Sequence, residues 1–596
     1  MRHFMWKTLC SLGLALVLLT GGQASARTPI LPVEQLQAGM TGYAKTVVSG
    51  DTIETFPVEV LGVTGNDTQG YQILIRAGGD VIERSGGISQ GMSGSPVYIN
   101  GRLAGAVAFG KAFNDPHYCF LQPIETMLRM LNPVVPRRGL PSSLPASKAE
   151  AKSLPAGTQL MAGGFAPLAL DKLNRDLGTS GLTAFDAGAS GSPRPIGDLE
   201  PGSAVGVALM TGDLTLGAIG TVTWTDEQGR VLAFGHPFLQ RGDADFFLTK
   251  AWILTSLPNI QTSYKVGTVG ESVGTVTQDR SAGVAGKIGP LPASIPVFVQ
   301  ATDMDRSENG SARVQVVDDP QLAPDLISAA VTSTAAQVAD TAAGGSGRVE
   351  FDVQASDSQD KPLRIVRQNM FYSTDKLLDT LPEELQESLN VLMRNKLENV
   401  NIRSVDVKVD MSTESLVADV QSASVREKHP QAGDTIHIDV VLKPYRSGDM
   451  VRTVEYKLPE DAEGTIRLRV SGGAAMNWIQ ELIRNQKESG VPVTDGKEDG
   501  GSGKDKDKDK QKQEEEKKRK IRLRDYVREV NKAVRNNDII VEYAVRGGAP
   551  QAAGDEAEQA TGLTAMLAGG PHRQVTPVDY IVDGETTVSV KVKAAD

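Results

Sequence analysis

The chain has 596 residues, too many for one hydrophobic core, and a typical domain size of roughly 100–200 residues predicts several units. Its formal net charge of -11 disfavours a general nucleic-acid-binding protein, because neutralising phosphates requires a basic face that no folded-looking segment displays. With two cysteines in the whole sequence, neither a disulfide framework nor a cysteine-based zinc site is expected. We therefore predict cores of ordinary size and no cofactor.

The amino-terminal residues are typical of an export signal. Basic residues precede an apolar run over 9–19, and Ala24-Ser25-Ala26 supplies the small residues that a signal peptidase prefers. The apolar run is shorter than the roughly 20 residues of a membrane-spanning helix. We therefore predict a signal peptide over 1–26, export to the periplasm or the cell surface, and a mature chain without an integral membrane segment. Cys119 would be its one thiol.

Residues 27–136 are predicted to form a first β unit, which carries the most informative motif of the chain. Short apolar runs separated by glycine indicate strands, and Gly91-Met92-Ser93-Gly94-Ser95-Pro96 lies among them. A serine between glycines suits a hydrolase nucleophile, since glycine permits tight turns that expose the hydroxyl while backbone N–H groups converge to receive an oxyanion. The motif therefore predicts acyl-transfer chemistry at Ser93.

The residues after this motif predict a β-hairpin. Residues 97–99 and 103–107 are apolar runs on either side of Asn100-Gly101, a pair that favours the positive φ angles of a type I′ turn. The sequence Gly188-Ala189-Ser190-Gly191-Ser192-Pro193 repeats the serine pattern, but no apolar strand follows it directly. We therefore predict a loop at Ser190 and a nucleophile at Ser93.

The rest of the chain divides by composition and periodicity. Residues 137–158, rich in Pro, Ser, Ala and Lys, are predicted to be a linker, and residues 159–345 a second β unit. Residues 346–480 show period-two strands, as in a small sandwich or an α+β module. Residues 481–520 have almost nothing to bury and are predicted to be a disordered charged linker, followed by a small α/β module over 521–596.

Helical spacing of apolar residues occurs in three places. It predicts a short helix with Ile124 and Met127 on its apolar face, and a second helix through Leu385 and Leu389. A third amphipathic helix is predicted where Leu523, Val527, Val530 and Val534 recur.

A nucleophilic serine requires a base, and near neutral pH histidine is the usual choice. The second β unit contains a predicted hairpin with strands over 220–224 and 231–238, and His236 lies at the end of its second strand. His117 is the other candidate among the six histidines, but it follows Asp115-Pro116 and is better interpreted as a loop residue. Because two β units facing across a cleft can each donate one catalytic group, we predict that His236 is the base.

These segments resemble a known family. Residues 86–107 look like the serine end of the SpoIVB-type serine peptidase domain, and residues 220–236 resemble its histidine segment, followed by the similar glycine-rich run 283–286. The order is permuted, because here the serine segment comes first, which compact β units with surface termini tolerate. No PDZ-like segment is found. The family is similar to trypsin-like peptidases, so the resemblance implies Ser93 as nucleophile, His236 as base, and the amides of Gly91 and Ser93 as oxyanion donors.

The acidic third member is less well defined by the sequence. The family's acid lies shortly before the serine motif, and the nearest counterpart is Asp80, although the spacing requires a gap. Asp243 and Asp245 are rivals because they follow His236 closely. Without a carboxylate to orient the imidazole, catalysis falls by about 10⁴-fold in the well-studied template.

The sequence as a whole predicts a mainly β protein: a two-part trypsin-like β-barrel peptidase region followed by β-rich C-terminal modules. We expect an exported serine endopeptidase that cleaves protein substrates through an acyl-enzyme at Ser93. The alternative is a catalytically inactive envelope scaffold or peptide-binding protein that keeps the fold. In either case the C-terminal modules could engage an envelope partner.

Overall fold

The structure is a computed structural model that describes part of the chain. The described residues are 28–66, 70–110, 114–132, 158–178, 182–191, 194–259, 262–339, 344–395, 397–475, 523–543 and 572–593. The predicted signal peptide, residues 137–157 of the predicted linker and the predicted charged linker over 481–520 all lie outside these ranges.

The serine-bearing unit is a closed six-stranded barrel, with strand order β1-β2-β3-β6-β5-β4. Its strands and two helices are β1 Thr41–Val47, β2 Ile53–Asn66, β3 Gly70–Ala77, α1 Asp80–Arg84, β4 Pro96–Ile99, β5 Arg102–Phe109, β6 Tyr118–Pro123 and α2 Ile124–Arg129. The hairpin β4–β5 turns through Asn100 and Gly101 at φ angles of 52° and 73°, so the predicted positive-φ turn is confirmed. The predicted helix through Ile124 and Met127, now α2, is confirmed as well.

A 13-stranded sheet follows, in the order β18-β17-β19-β15-β16-β9-β12-β13-β14-β11-β10-β7-β8. Its elements are β7 Thr158–Gly163, α3 Pro167–Leu177, β8 Leu182–Asp186, β9 Ala204–Gly212, β10 Thr215–Thr225, β11 Arg230–Ala233, β12 Gly242–Leu257, β13 Tyr264–Arg280, β14 Gly283–Ile288, β15 Ser294–Asp303, β16 Glu308–Val317, α4 Ala323–Val338, β17 Gly345–Ser356, β18 Pro362–Ser373, α5 Leu377–Thr380, α6 Glu383–Met393 and β19 Asn401–Ser412.

Six strands of this sheet form a second closed ring. Strand β9 pairs with β12 on one side and with β10 on the other, and β12, β13, β14, β11 and β10 pair in succession. The predicted two-part β-barrel arrangement is therefore confirmed, with the serine in the first ring and the histidine segment in the second.

The large sheet crosses the boundary predicted at residue 345. Strands β17 and β18 lie beyond that residue, and β19 pairs in parallel with β15 over seven residue pairs. The buried helix α4 packs on β15 and β16 and also contacts α6, so elements from both sides of the boundary share one core. Local periodicity cannot reveal a pairing between strands so far apart in the chain.

Two four-stranded sheets complete the chain, in the orders β22-β21-β20-β26 and β25-β24-β23-β27. Their elements are β20 Val417–Val425, β21 Thr435–Pro444, β22 Met450–Lys457, β23 Gly464–Gly472, β24 Asp538–Tyr543, β25 Arg573–Pro577, β26 Ile581–Asp583 and β27 Glu585–Val592. A helix before β24, α7 Leu523–Lys532, packs on β18 of the large sheet. The predicted helices α6 and α7 are confirmed. Strands from both predicted C-terminal units pair with one another and share a core.

Within the ranges given above, no helix has the length and apolar character needed to cross a membrane.

Candidate active site

The loop that carries Ser93 is bonded to the second ring. Thr221 of β10 donates its N–H to the Ser93 carbonyl at 2.8 Å, and the Thr223 hydroxyl donates to the Gly94 carbonyl at 2.7 Å. There is no room for a side chain at Gly94, since a Cβ there would lie 2.0 Å from the Thr221 carbonyl oxygen. The glycine after the serine is thus required by the close approach of the two rings.

The amide groups of the serine loop differ in whether they are bonded. Those of Gln90, Met92, Gly94 and Ser95 donate to Ser263, Ser89, Val107 and Met92 carbonyls respectively. Those of Gly91 and Ser93 have no acceptor among the residues that the structure describes. Of the six consecutive amides of residues 90–95, the two without a hydrogen bond to a described residue are therefore the predicted oxyanion donors, Gly91 and Ser93.

The orientation of these two amides follows from the carbonyls in the same peptide units. The Gln90 carbonyl accepts the Lys265 N–H at 2.9 Å, and the Met92 carbonyl accepts the Ser95 N–H at 2.9 Å. In a trans peptide the N–H points away from the C=O. The Gly91 and Ser93 N–H groups therefore point away from the protein groups that hold their carbonyls.

Ser93 is half-buried, and its hydroxyl has no hydrogen-bond partner among the described side chains and backbone groups. Its neighbour Ser95 is fully buried. Of the two serines in the motif, Ser93 is the one that a substrate could reach.

His236 follows a strand that is shorter than predicted. Strand β11 ends at Ala233 rather than continuing to residue 238, because Phe234 and Gly235 take positive φ angles of 70° and 67°. This turn lies against β5: a Cβ on Gly235 would be 2.9 Å from the Val107 carbonyl oxygen, which also accepts the Gly94 N–H at 2.7 Å. The serine loop and the histidine turn therefore both contact Val107 of β5.

The ring of His236 is in a form suited to a base. Its Nδ1 lies 2.8 Å from the Pro237 carbonyl oxygen, which can only accept, so Nδ1 carries the proton and Nε2 of the neutral ring is left as an acceptor. Burial lowers the pKa of His236, while the Pro237 hydrogen bond and the charge of Asp279 act in the opposite direction. The neutral form is therefore favoured near neutral pH.

Asp279 is a buried carboxylate on β13, in the same ring as His236. It accepts the N–H groups of Phe238 and Leu239 at 2.7 Å each and that of Arg241 at 3.2 Å, so it holds the loop that begins two residues after the histidine. Burial raises the pKa of Asp279, and these backbone hydrogen bonds oppose that rise. Asp279 is the carboxylate whose charge acts on His236.

The three acids considered from the sequence lie in other surroundings. Asp80 is at the start of α1 with its side chain 83% exposed, and it pairs with Arg84 at 2.9 Å. Asp243 is exposed and pairs with Arg280 at 2.7 Å, and the Asp245 carboxylate accepts the Ala293 N–H at 3.1 Å. The structure gives none of the three a contact with His236.

Ser190, His117 and Cys119 all lie in surroundings that do not suit catalysis. Ser190 lies in a bend between β8 and β9, which confirms the predicted loop. His117 is a loop residue whose ring lies 2.6 Å from Asp115 and 3.3 Å from Glu83. Cys119 is buried, and burial raises the pKa of its thiol to about 12, so it is an unreactive core residue.

Sequence reasoning missed Asp279, although a signal was present. The residue lies four positions before Gly283, which begins the glycine-rich run that resembles the peptidase family. An acidic residue so close to that run could have been considered as the partner of His236.

Comparison with known families agrees with the serine half of this site. Residues 20–128 match the family model of SpoIVB peptidase S55, so the resemblance predicted from the serine motif is confirmed, and this part of the chain is similar to the SpoIVB peptidase family. The match includes Ser93 and the whole first barrel and ends before His236. No curated protein and no solved structure matches the chain.

Proposed function

We propose that the chain is an exported serine endopeptidase, with Ser93 as nucleophile and His236 as general base. The observation that carries this proposal is the pattern of amides around Ser93. A loop that bonds four of six consecutive amides and leaves those of Gly91 and Ser93 available is suited to stabilise an oxyanion. The family match over the first barrel supports the same chemistry.

The reaction follows from these groups. Ser93 Oγ attacks the carbonyl carbon of the scissile peptide bond while its proton passes to His236 Nε2, and the carbonyl oxygen becomes an anion held by the Gly91 and Ser93 amides. The imidazolium then gives the proton to the leaving amine as the C–N bond breaks. Water, deprotonated by His236, releases the acyl group by the reverse steps.

For the acidic partner of His236 we propose Asp279. Asp80 is the nearest counterpart of the family's acid in the sequence, but its carboxylate is exposed and bound to Arg84. Asp279 is buried, belongs to the same ring as the histidine, and fixes the adjoining loop through three backbone hydrogen bonds. A buried carboxylate near an imidazole stabilises the imidazolium that forms during the reaction.

A fluorophosphonate probe tests the proposal, because it labels activated serine nucleophiles covalently. We expect the purified mature chain to be labelled, labelling to be lost in Ser93→Ala and His236→Ala, and Ser190→Ala to label like the wild type. The Ser190 variant controls for a serine in the same local sequence pattern. A wild-type chain that is never labelled, or a Ser93→Ala variant that still is, would contradict a peptidase acting through Ser93.

A further inference from the structure

Lys265 is a buried cation next to the serine loop. It lies near the start of β13 and is 2% exposed. Its side chain covers the loop at Gly91, since a Cβ on that glycine would lie 3.0 Å from Lys265 Cδ and 3.1 Å from Lys265 Cβ. Both the backbone and the side chain of Lys265 therefore contact the loop.

The ammonium group of Lys265 connects to Gly91 through a hydroxyl group. Nζ donates to Thr46 Oγ1 at 2.9 Å and to Thr221 Oγ1 at 3.4 Å. The Thr221 hydroxyl in turn donates to the Gly91 carbonyl at 3.0 Å. With the bond from the Lys265 N–H to the Gln90 carbonyl, both peptide units that meet at Gly91 are held by Lys265, one directly and one through Thr221.

The charge of Lys265 is not balanced by a carboxylate. Its polar neighbours are the uncharged hydroxyls of Thr46 on β1 and Thr221 on β10, and its strand partner on β12 is Ser256. Among the described residues, no charged group acts on Nζ, and burial alone lowers the pKa of Lys265 to about 7. A cation kept in such surroundings costs folding free energy, which makes a functional role the better explanation.

We propose that Lys265 is a positioning residue of the oxyanion pocket, which orients Gly91 through its own N–H and through Thr221 and places a positive charge behind the pocket when protonated. This inference rests on the proposed function. A fixed charge in a site from which water is excluded stabilises the anion that forms during acylation without reorganising. Removing it slows acylation without removing the nucleophile or the base.

The proposal predicts a particular pH dependence. Lys265 is charged below about pH 7 and neutral above it, so its contribution is present at low pH and is lost as the pH rises through that value. His236 must be neutral to act as a base, which gives the acidic limb of the rate profile. We expect the wild-type labelling rate to fall again above about pH 7. This alkaline limb of the profile is caused by the loss of the charge on Lys265.

The experiment measures fluorophosphonate labelling rates against pH for the full mature chain. Lys265→Met should fold, because it removes an unpaired buried charge, whose burial costs folding free energy, and keeps a long unbranched side chain. We expect it to label about tenfold or more slowly at pH 6, and to lose the alkaline limb while keeping the acidic one. Lys287→Met, an exposed lysine on β14, is the matched control and should behave like the wild type.

A second pair of variants tests the same link without changing the lysine. Thr221→Val removes the hydroxyl between Nζ and Gly91 and should slow labelling, whereas Thr221→Ser keeps the hydroxyl and should restore it. Lys265→Met with the wild-type rate and an intact alkaline limb would overturn the positioning role and leave the peptidase proposal standing. Absence of labelling in the wild type would overturn both proposals.

Discussion

The identity of the carboxylate that acts on His236 is the main question at the scale of single residues. Asp279 is fully buried and holds the loop after the histidine, whereas Asp80 is exposed and pairs with Arg84. In the well-studied template, replacing the acid by its amide lowers kcat by about 10⁴-fold. Asp279 acts here through the loop and through its charge, so a smaller effect is expected.

We predict that Asp279→Asn slows fluorophosphonate labelling by about tenfold or more and moves the acidic limb of the pH profile to lower pH. The sign follows from the charge: Asp279 raises the pKa of His236, so removing its charge lowers that pKa further, and the imidazole stays neutral down to a lower pH. A labelling-rate profile from pH 4 to pH 9 measures both changes.

Asp80→Asn is the matched control, because it makes the same chemical change at an exposed carboxylate. It should leave the rate and both limbs within experimental error. If Asp80→Asn reduced labelling and Asp279→Asn did not, the acid would be Asp80, the nearest counterpart of the family's acid in the sequence.

Ser93 and His236 could be singled out as candidates from the sequence because each lies in a local motif. A serine between glycines before a hairpin and a histidine after a strand are features of short segments. Asp279 could not be recognised from a local motif in the same way. It contacts the loop after His236 from β13, about 40 residues further along the chain, and the pairing of the strands brings the two together. Lys265 could have been noticed in the sequence, because it lies on the same face of β13 as Gly267 and Val269, and that face is buried.

At the scale of elements, the serine loop is set by how closely it approaches β10. Gly94 has a φ of 95°, and a Cβ there would be 2.0 Å from the Thr221 carbonyl oxygen and 2.5 Å from the Phe234 backbone nitrogen. Either the loop or the histidine turn has to move to accept a side chain. The close approach therefore couples the two halves of the site.

We predict that Gly94→Ala destabilises the protein by about 3 kcal/mol or more and abolishes labelling, because overpacking at this contact separates the loop from the histidine turn. Gly101→Ala isolates the contribution of backbone conformation. That glycine also has a positive φ, 73°, but nothing lies within 4 Å of the added Cβ. It should cost about 1 kcal/mol and keep labelling.

Thermal unfolding and probe labelling of the two variants provide the measurement. Equal losses of stability and of labelling in both would show that positive φ alone explains the glycine, and would contradict the close packing of the loop on β10.

Local patterns predicted the hairpins and helices well. The hairpin β4–β5, the helices α2, α6 and α7, and the alternating burial along β21 follow from turn chemistry and apolar periodicity. The early end of β11 does not, since its cause is the left-handed conformation of Phe234, which no propensity favours.

At the scale of the whole molecule, the two six-stranded rings come in the order serine then histidine. Main-chain bonds from Thr221 and Lys265 to the serine loop join them, together with a bridge between Gly50 and Ile253. An apolar cluster with Tyr98 and Leu232 lies between the rings as well. A permuted order is compatible with this arrangement, because these contacts are made by residues of the two rings themselves.

The ring that carries His236 continues into strands well beyond the predicted boundary at residue 345. We predict that a chain ending at residue 345 loses solubility and labelling, because β15 would lose its partner β19 and the core shared with α6 would be exposed. A chain ending at residue 413 keeps the complete 13-stranded sheet and should retain labelling. Yield, thermal unfolding and labelling of the two truncated chains are the measurements. A stable, active chain ending at 345 would show that the second ring is independent of β17–β19.

The position of a covalent adduct tests most directly whether Ser93 is the nucleophile of a peptidase. Trypsin digestion of the labelled chain gives a peptide over residues 85–102, which contains Ser85, Ser89, Ser93 and Ser95. Fragmentation by mass spectrometry distinguishes these four serines. We expect one phosphonyl group, on Ser93, that is absent from the His236→Ala protein. An adduct on another serine, or none on a folded wild-type chain, would contradict this role of Ser93.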